Sequence, residues 1–320
     1  MATVVNEHPA AMDLSVPTSD VSKPPILTKN FYIFGQGISF SMSPTIHLAA
    51  FHRHSLPHTY IIHQTPTVEE LGPLISSPSF GGSSVTMPHK LKISKFCNTI
   101  TDHAQIIGAV NTLIPTHDPV SKRRKIVGEN TDWSGLVQCL QAKGAGITEN
   151  AKTGLVIGAG GASRAALYAL HKSGVQDIYL INRTRATANK IASDYAPIFK
   201  ITVLSTLSEV GRTEESRPDI IIGTIPADKT SVEDFPASLF KKEKGICVDM
   251  AYKPRETPLL KVAGKVKGWN TVTGVEVLLE QAFVQSELWL ELQAPRKHMI
   301  EELEREDARR AAEVKASEKL

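Results

Sequence analysis

The chain has 320 residues, of which 41% are hydrophobic and 22% charged, an ordinary globular balance with enough apolar material for two cores. The net charge of +3 suits attraction of a small anion and falls far short of a nucleic-acid-binding footprint. No apolar run approaches bilayer length and the first residues lack a signal-like core, so the expected setting is cytoplasmic, with no membrane and no nucleic-acid partner.

Residues 1–28 are rich in Ser, Pro, Thr and Ala without periodicity, which predicts an extension that carries no chemistry. From Phe31 onward short apolar runs alternate with helix-like stretches, the rhythm of parallel strands covered by helices on both faces. A first set of predicted strands covers 31–34, 59–63, 83–87 and 111–114. After the first comes Gly35-Gln36-Gly37-Ile38-Ser39-Phe40-Ser41-Met42-Ser43-Pro44, where Pro44 opens a helix with Ser43 in the N-cap position. Two hydroxyls there suit a carboxylate. Val85-Thr86-Met87-Pro88-His89-Lys90 then puts Lys90 past a strand end, in the expected first turn of a helix, where clefts of α/β sheets open. The run Lys122-Arg123-Arg124-Lys125 follows Asp118-Pro119 between strand-like stretches and reads as a solvated hairpin loop. Asp132 in Asn130-Thr131-Asp132 leads into a helix near Trp133, whose N-terminus favours negative charge. A Lys–Asp pair of this kind is equipped to exchange a proton with a substrate hydroxyl.

The second set of strands is predicted at 154–158, 178–182, 201–204, 220–223 and 246–250. Gly158-Ala159-Gly160-Gly161-Ala162-Ser163 directly follows the first of them and opens a helix. Glycines there admit a pyrophosphate close to the backbone, and the helix N-terminus supplies free N–H groups. Ser163 replaces the third glycine of the usual fingerprint. The next strand runs into Asn182-Arg183-Thr184-Arg185, without the acid that normally binds the ribose 2′-hydroxyl of NAD. A guanidinium instead suits a 2′-phosphate, so Arg183 with Thr184 favours NADP over NAD. A helix is expected from Gly274 to Trp289, with Val277, Leu278, Ala282, Leu288 and Trp289 near its apolar face. Beyond Pro295 the Glu/Arg/Lys/Ala composition reads as a solvated helix or frayed tail. The expected organisation is therefore α/β in two domains, 29–132 and a Rossmann-type doubly wound 133–273, then a returning helix at 274–295 and a charged tail at 296–320.

Taken together, Ser41-Met42-Ser43-Pro44, Val85-Thr86-Met87-Pro88-His89-Lys90, Gly108-Ala109-Val110-Asn111-Thr112, Asn130-Thr131-Asp132, the glycine loop, Asn182-Arg183-Thr184 and Gly274-Val275-Glu276-Val277-Leu278-Leu279-Glu280-Gln281 resemble the shikimate dehydrogenase family. The resemblance spans residues 31–292, and the phrasing around Ser41 and Leu56 is most similar to the fungal quinate/shikimate dehydrogenases and the dehydrogenase end of the fungal AROM protein. It implies that the first domain binds a cyclic hydroxy acid, shikimate or quinate, and the second binds NADP or NAD. It also implies that Ser41, Ser43 and Tyr252 hold the carboxylate, and that Thr86, Lys90, Asn111, Asp132 and Gln281 hold ring hydroxyls, with Lys90 and Asp132 as the catalytic pair. The nicotinamide would lie near Thr224, Met250 and Gly274. Phe40, Gly37 and Val277 depart from the family's usual His, Pro and Met, which leaves shikimate against quinate open. Some fungal relatives regulate the quinate pathway without catalysing, which is the alternative.

His47, His52, His54, His58 and His63 straddle a helix, a loop and a strand with no acidic or cysteine partner, so surface or capping roles are expected and no metal. Cys97, Cys139 and Cys247 form no CxxC pair, which predicts core thiols rather than disulfides. Monomer against homodimer is left open.

Overall fold

Two six-stranded sheets divide the chain in the computed structural model, which describes residues 26–144, 146–214 and 216–317. The expected N-terminal extension lies, up to residue 25, outside the described residues. The first sheet is built from β1 (Asn30–Gly35), β2 (Thr59–Gln64), β3 (Phe80–Val85), β4 (Thr99–Ile100), β5 (Thr112–His117) and β6 (Arg124–Glu129), in the order β2-β1-β3-β5-β6-β4. Its helices are α1 (Ser43–Arg53), α2 (Gly72–Ser76) and α3 (Asp102–Ile107), and α4 (Asp132–Lys143) leads out of it.

The expectation of parallel strands fails for β5, which runs antiparallel to both β3 and β6. The cause is the short connection from β5 to β6, because a tight hairpin joins only antiparallel neighbours. Asp118 builds that loop: its Oδ1 accepts from the Val120 and Ser121 N–H groups at 3.1 and 2.8 Å, and Lys125 Nζ reaches its other oxygen at 2.5 Å. The basic run is thus the hairpin it was read to be. Strand β3 also starts earlier than 83. Gly81 and Gly82 disguise it in the sequence, yet a Cβ at Gly82 would lie 2.5 Å from the Trp289 indole nitrogen, so the strand needs glycine there to let the tryptophan in.

The second sheet contains β7 (Thr153–Ile157), β8 (Asp177–Ile181), β9 (Ile201–Leu204), β10 (Ile220–Gly223), β11 (Gly245–Asp249) and β12 (Trp269–Val272) in the order β12-β11-β10-β7-β8-β9. All its pairs are parallel, the doubly wound arrangement whose strand order reverses beside β7. Between these strands run α5 (Gly161–Lys172), α6 (Arg185–Tyr195) and α7 (Pro258–Ala263). Its strands read as continuous apolar runs because both faces are covered: Leu136, Leu167 and Leu170 pack on one face, Leu239, Phe240 and Leu259 on the other. Cys139 and Cys247 are buried and Cys97 half-buried, all three free thiols.

The chain then returns to the first sheet through α8 (Gly274–Leu290) and α9 (Arg296–Ser317). A capping box fixes the start of α8, with the Thr273 hydroxyl accepting from the Glu276 N–H and the Glu276 carboxylate accepting from the Thr273 N–H at 2.8 Å. Leu288, expected on the apolar face, is exposed; Phe283 is buried in its place. Nor is α9 merely solvated. Met299 and Leu303 are buried against Ile46 and Ala50 of α1, and the charged residues cover only the outer side.

Candidate active site

Past the end of β3 the chain makes a series of turns rather than the expected helix, the first short helical segment coming at Ile93–Phe96. His89 is the reason. Its ring is buried and Nε2 lies 2.9 Å from the Thr65 carbonyl oxygen, which pins the turn and leaves Lys90 pointing at the cleft. The Lys90 ammonium meets Asp132 Oδ2 at 2.5 Å, with both side chains largely shielded from solvent.

Asp132 is the first residue of α4 and is held from three directions. Its N–H donates to Asn130 Oδ1 at 3.0 Å, its Oδ1 accepts from Asn111 Nδ2 at 2.9 Å, and its Oδ2 faces Lys90. Asn111 is fixed in turn, since its Oδ1 accepts from the Thr131 N–H at 2.8 Å and from Thr112 Oγ1 at 2.6 Å. Gln281, from α8, accepts from Thr131 Oγ1 at 3.2 Å. Asn111 and Lys90 thus meet the carboxylate directly, and Gln281 braces it from α8 through Thr131 and Asn111, an arrangement that fixes its rotamer.

The serine end of the cleft differs from expectation in one detail. Met42, not Ser43, occupies the N-cap of α1, and no side chain caps that helix. Ser41 takes over part of the task, its Oγ accepting from the Ser43 N–H at 3.3 Å, so both buried hydroxyls face the cavity together. Tyr252 reaches them from the other lobe: burial pushes its phenol up, while the Ser41 side chain hydrogen-bonds to it and opposes the shift. Ser41, Ser43, Thr86, Lys90, Asn111, Asp132, Tyr252 and Gln281 all line a single cavity of about 550 Å³, as do Ala162, Met250 and Gly274 from the second lobe. The two lobes meet closely, and a Cβ at Gly161 would lie 3.2 Å from that of Lys90.

Sequence reasoning missed Ser84 and Gln285, buried residues that line the cavity, and Tyr60, which stands behind Ser84. The Tyr60 hydroxyl and Ser84 Oγ lie 2.7 Å apart, Ser84 Oγ donates to Gln285 Oε1 at 2.8 Å, and Gln285 Nε2 donates to Thr112 Oγ1 at 2.8 Å. A signal existed in the spacing. Gln285 stands four residues after Gln281 on a helix and therefore on the same face. The expectation of surface histidines fails for His47, which is buried against Tyr60 and Trp289. Burial drives its pKa down to about 3, with the Gln285 side chain opposing. Among the described residues no group of three or more His, Cys, Asp or Glu could hold a metal ion.

The glycine loop sits at the reversal of strand order, between β7 and β10. Gly158 adopts φ +115°, and a Cβ there would meet Thr224 Oγ1 at 2.4 Å, so only glycine lets the two strand ends close. Ser163 is buried, accepts from the Gly160 N–H at 2.8 Å and lies 2.8 Å from Thr224 Oγ1. That pairing explains a serine where a third glycine is usual. A Cβ at Gly160 would meet nothing within 4 Å, so the space before the start of α5 is open, as a pyrophosphate needs. Beyond β8, Asn182 Nδ2 donates to the Thr184 carbonyl at 3.0 Å and shapes the loop. Arg183 is exposed with no ion-pair partner among the described residues, whereas Arg185 turns aside to Ser205. These residues fit a dinucleotide carrying a 2′-phosphate.

Comparison with known proteins identifies the family. Residues 33–113 match the model for the shikimate dehydrogenase substrate binding domain and residues 141–262 that for shikimate / quinate 5-dehydrogenase. A shikimate 5-dehydrogenase structure from Mycobacterium fortuitum superposes with a TM-score of 0.73 at 30% identity, covering 88% of this chain and 99% of that one. The chain belongs to the shikimate dehydrogenase family. The family member from Thermus thermophilus, solved in complex with NADP(H) and shikimate, has a TM-score of 0.70 at 28% identity, covering 87% of this chain and 99% of that one. A pentafunctional AROM polypeptide of Malassezia globosa is 40% identical over 274 residues, and a quinate repressor protein of Emericella nidulans 36% over 307. These alignments take in 83% and 84% of this chain but span only 17% and 34% of those relatives' lengths. Among the described residues no helix is long and apolar enough to cross a membrane.

Proposed function

We propose that the protein reversibly oxidises a ring hydroxyl of shikimate or quinate to the 3-dehydro acid, with NADP favoured over NAD. The observation that carries this reading is the Lys90–Asp132 contact of 2.5 Å in a cavity whose opposite wall is the dinucleotide lobe. Ser41, Ser43 and Tyr252 receive the carboxylate. Thr86, Asn111 and Gln281 take the ring hydroxyls and orient the carbinol carbon toward Met250 and Gly274. The nicotinamide, when bound, supplies the hydride acceptor. The Lys90 amine takes the hydroxyl proton at Nζ, becoming the ammonium, as the carbinol is oxidised and gives it back in the reverse direction, while Asp132 fixes the position of Nζ. Gly158, Ala159, Gly160, Gly161 and Ala162 cradle the pyrophosphate; Asn182, Arg183 and Thr184 take the 2′-phosphate; and Thr224 supports the loop. The tasks divide as 29–132 for the acid and 133–273 for the dinucleotide, with 274–295 returning to the acid site and 296–320 forming the charged tail.

The similarity to a protein named quinate repressor supports a second reading, a binder of the same acids that does not catalyse. A paired Lys90–Asp132 and an open glycine cradle favour the enzyme. The deciding experiment assays quinate and shikimate, each with NAD and NADP. NADPH formation with one acid is expected. Binding of either acid with no reduction of either cofactor would make the binding protein the correct reading.

A further inference from the structure

The C-terminal helix reaches further than packing on α1 requires. Its inner residues Met299 and Leu303 already secure it to the first lobe. About one and two turns on, Asp307 and Arg310 stand three apart, hence on one side of the helix, and each reaches a different loop beside the cavity. Asp307 pairs with Arg255, just beyond Tyr252 in the second lobe, and the Arg255 guanidinium lies 5.9 Å from the Tyr252 ring. Arg310 Nη1 donates to the Phe40 carbonyl at 2.8 Å, in the first lobe, and Arg310 Nε is itself held by Glu306 at 2.7 Å.

The Phe40 carbonyl belongs to the peptide plane that carries the Ser41 N–H. That N–H donates to the Ile38 carbonyl at 2.9 Å, so the plane is fixed at both ends, at one of them by Arg310. A peptide plane fixed in this way sets where Ser41 Oγ points. The two loops also touch each other, with the Phe40 and Tyr252 rings edge-to-face at 5.9 Å and Lys253 Nζ 4.7 Å from the Phe40 ring centre. Their separation decides how a carboxylate fits between Ser41 and Tyr252.

We propose that Arg310 and Asp307 are positioning residues for the carboxylate end of the substrate site, holding the Ser41 loop and the Tyr252 loop at a fixed spacing from one helix. The inference rests on Ser41 and Tyr252 receiving the carboxylate. Neither residue lines the cavity. Losing the strap leaves proton and hydride transfer intact and weakens recognition of the acid group alone.

The test compares shikimate with its methyl ester, which keeps the ring hydroxyls and lacks the negative charge, in the full chain and in Arg310→Met, Asp307→Asn and Arg310→Lys. The wild-type protein should prefer the acid. Arg310→Met should raise KM for the acid on the order of tenfold, the loss expected for one charge-assisted hydrogen bond. KM for the ester, KM for NADP and kcat should stay within about twofold. Asp307→Asn should move KM for the acid the same way, and Arg310→Lys should recover part of the loss. An unchanged acid-to-ester preference in both Arg310→Met and Asp307→Asn, or a loss falling equally on the two substrates, overturns the proposal. Should Arg310→Met fail to fold, Asp307→Asn and Arg310→Lys decide it by the same preference. A wild-type protein that does not distinguish acid from ester removes instead the reading of Ser41 and Tyr252 on which the inference stands.

Discussion

Lys90 and Asp132 are 42 positions apart in the chain and in contact in the fold. Lys90→Ala removes the proton acceptor and leaves Ser41, Ser43, Asn111 and Gln281 in place. The expected result is a kcat lowered by about 10²–10⁴-fold, with the dissociation constant of the acid changed only a few-fold. Steady-state rates combined with calorimetric binding check this; a near-normal kcat would remove Lys90 from its role. Arg183→Ala should lower kcat/KM for NADP by about 10–100-fold and leave NAD unaffected, because the exposed guanidinium has no ion-pair partner to lose among the described residues. Neither side chain stands out alone in the sequence: a lysine after a strand and a cap-like aspartate are common, and only the order of several motifs assembled them. Ser43 shows the limit of that method. Ser-Pro at a helix start looks like a cap, but the Ser41 hydroxyl takes the amide instead, a choice that depends on the loop's path. Arg310 was legible only as one charge in the Glu/Arg/Lys/Ala tail, since a guanidinium bound to a backbone carbonyl leaves no pattern in sequence.

Helices α4 and α8 carry Asp132 and Gln281, and their crossing sets the distance between those side chains. Gly135 is what lets them approach: a Cβ there would lie 2.8 Å from the Gln281 backbone nitrogen and 3.0 Å from its Cβ. Backbone cannot yield as a flexible side chain would. Gly135→Ala should therefore destabilise the protein by about 1–3 kcal/mol through overpacking, more than offsetting the alanine's better helix propensity. It should also raise KM for the acid, as Gln281 is displaced from Thr131 and Asn111. Urea unfolding and steady-state kinetics on the same sample test both. Element identity was largely readable, because apolar runs and periodic helices are local. Strand direction was not. The antiparallel setting of β5 follows from pairing and connection length, the two-residue β4 is too short for a pattern to declare itself, and Asn270 and Thr271 break the apolar run of β12.

Across the whole molecule, two buried groups titrate in opposite senses, one in each lobe. His47, in the first lobe, has its pKa lowered from 6.5 to about 3 by burial. Asp249, at the end of β11, has its carboxyl raised from 3.8 to about 6 by burial, against hydrogen bonds from Thr257 and the Ala251 N–H. For His47 the unfolded chain binds the extra proton, so its contribution to stability is complete above pH 6.5 and is lost as pH falls toward 3. For Asp249 the folded chain binds the extra proton, so its contribution is complete below pH 3.8 and is lost as pH rises through 6. Between about pH 4 and 6 the two slopes oppose each other, each at most about 1.4 kcal/mol per pH unit. The wild-type protein should accordingly show a shallow dependence of unfolding free energy on pH in that window. Asp249→Asn keeps an acceptor for the Ala251 N–H and removes one slope, so stability should climb with pH between 4 and 6. His47→Phe keeps the stacking with Tyr60 and removes the other, so stability should fall over the same range. Denaturant unfolding at half-unit intervals of pH measures all three curves. Parallel curves for the wild type and Asp249→Asn would show that the carboxyl ionises in the fold as it does in water, and that the end of β11 is more open to solvent than its packing indicates.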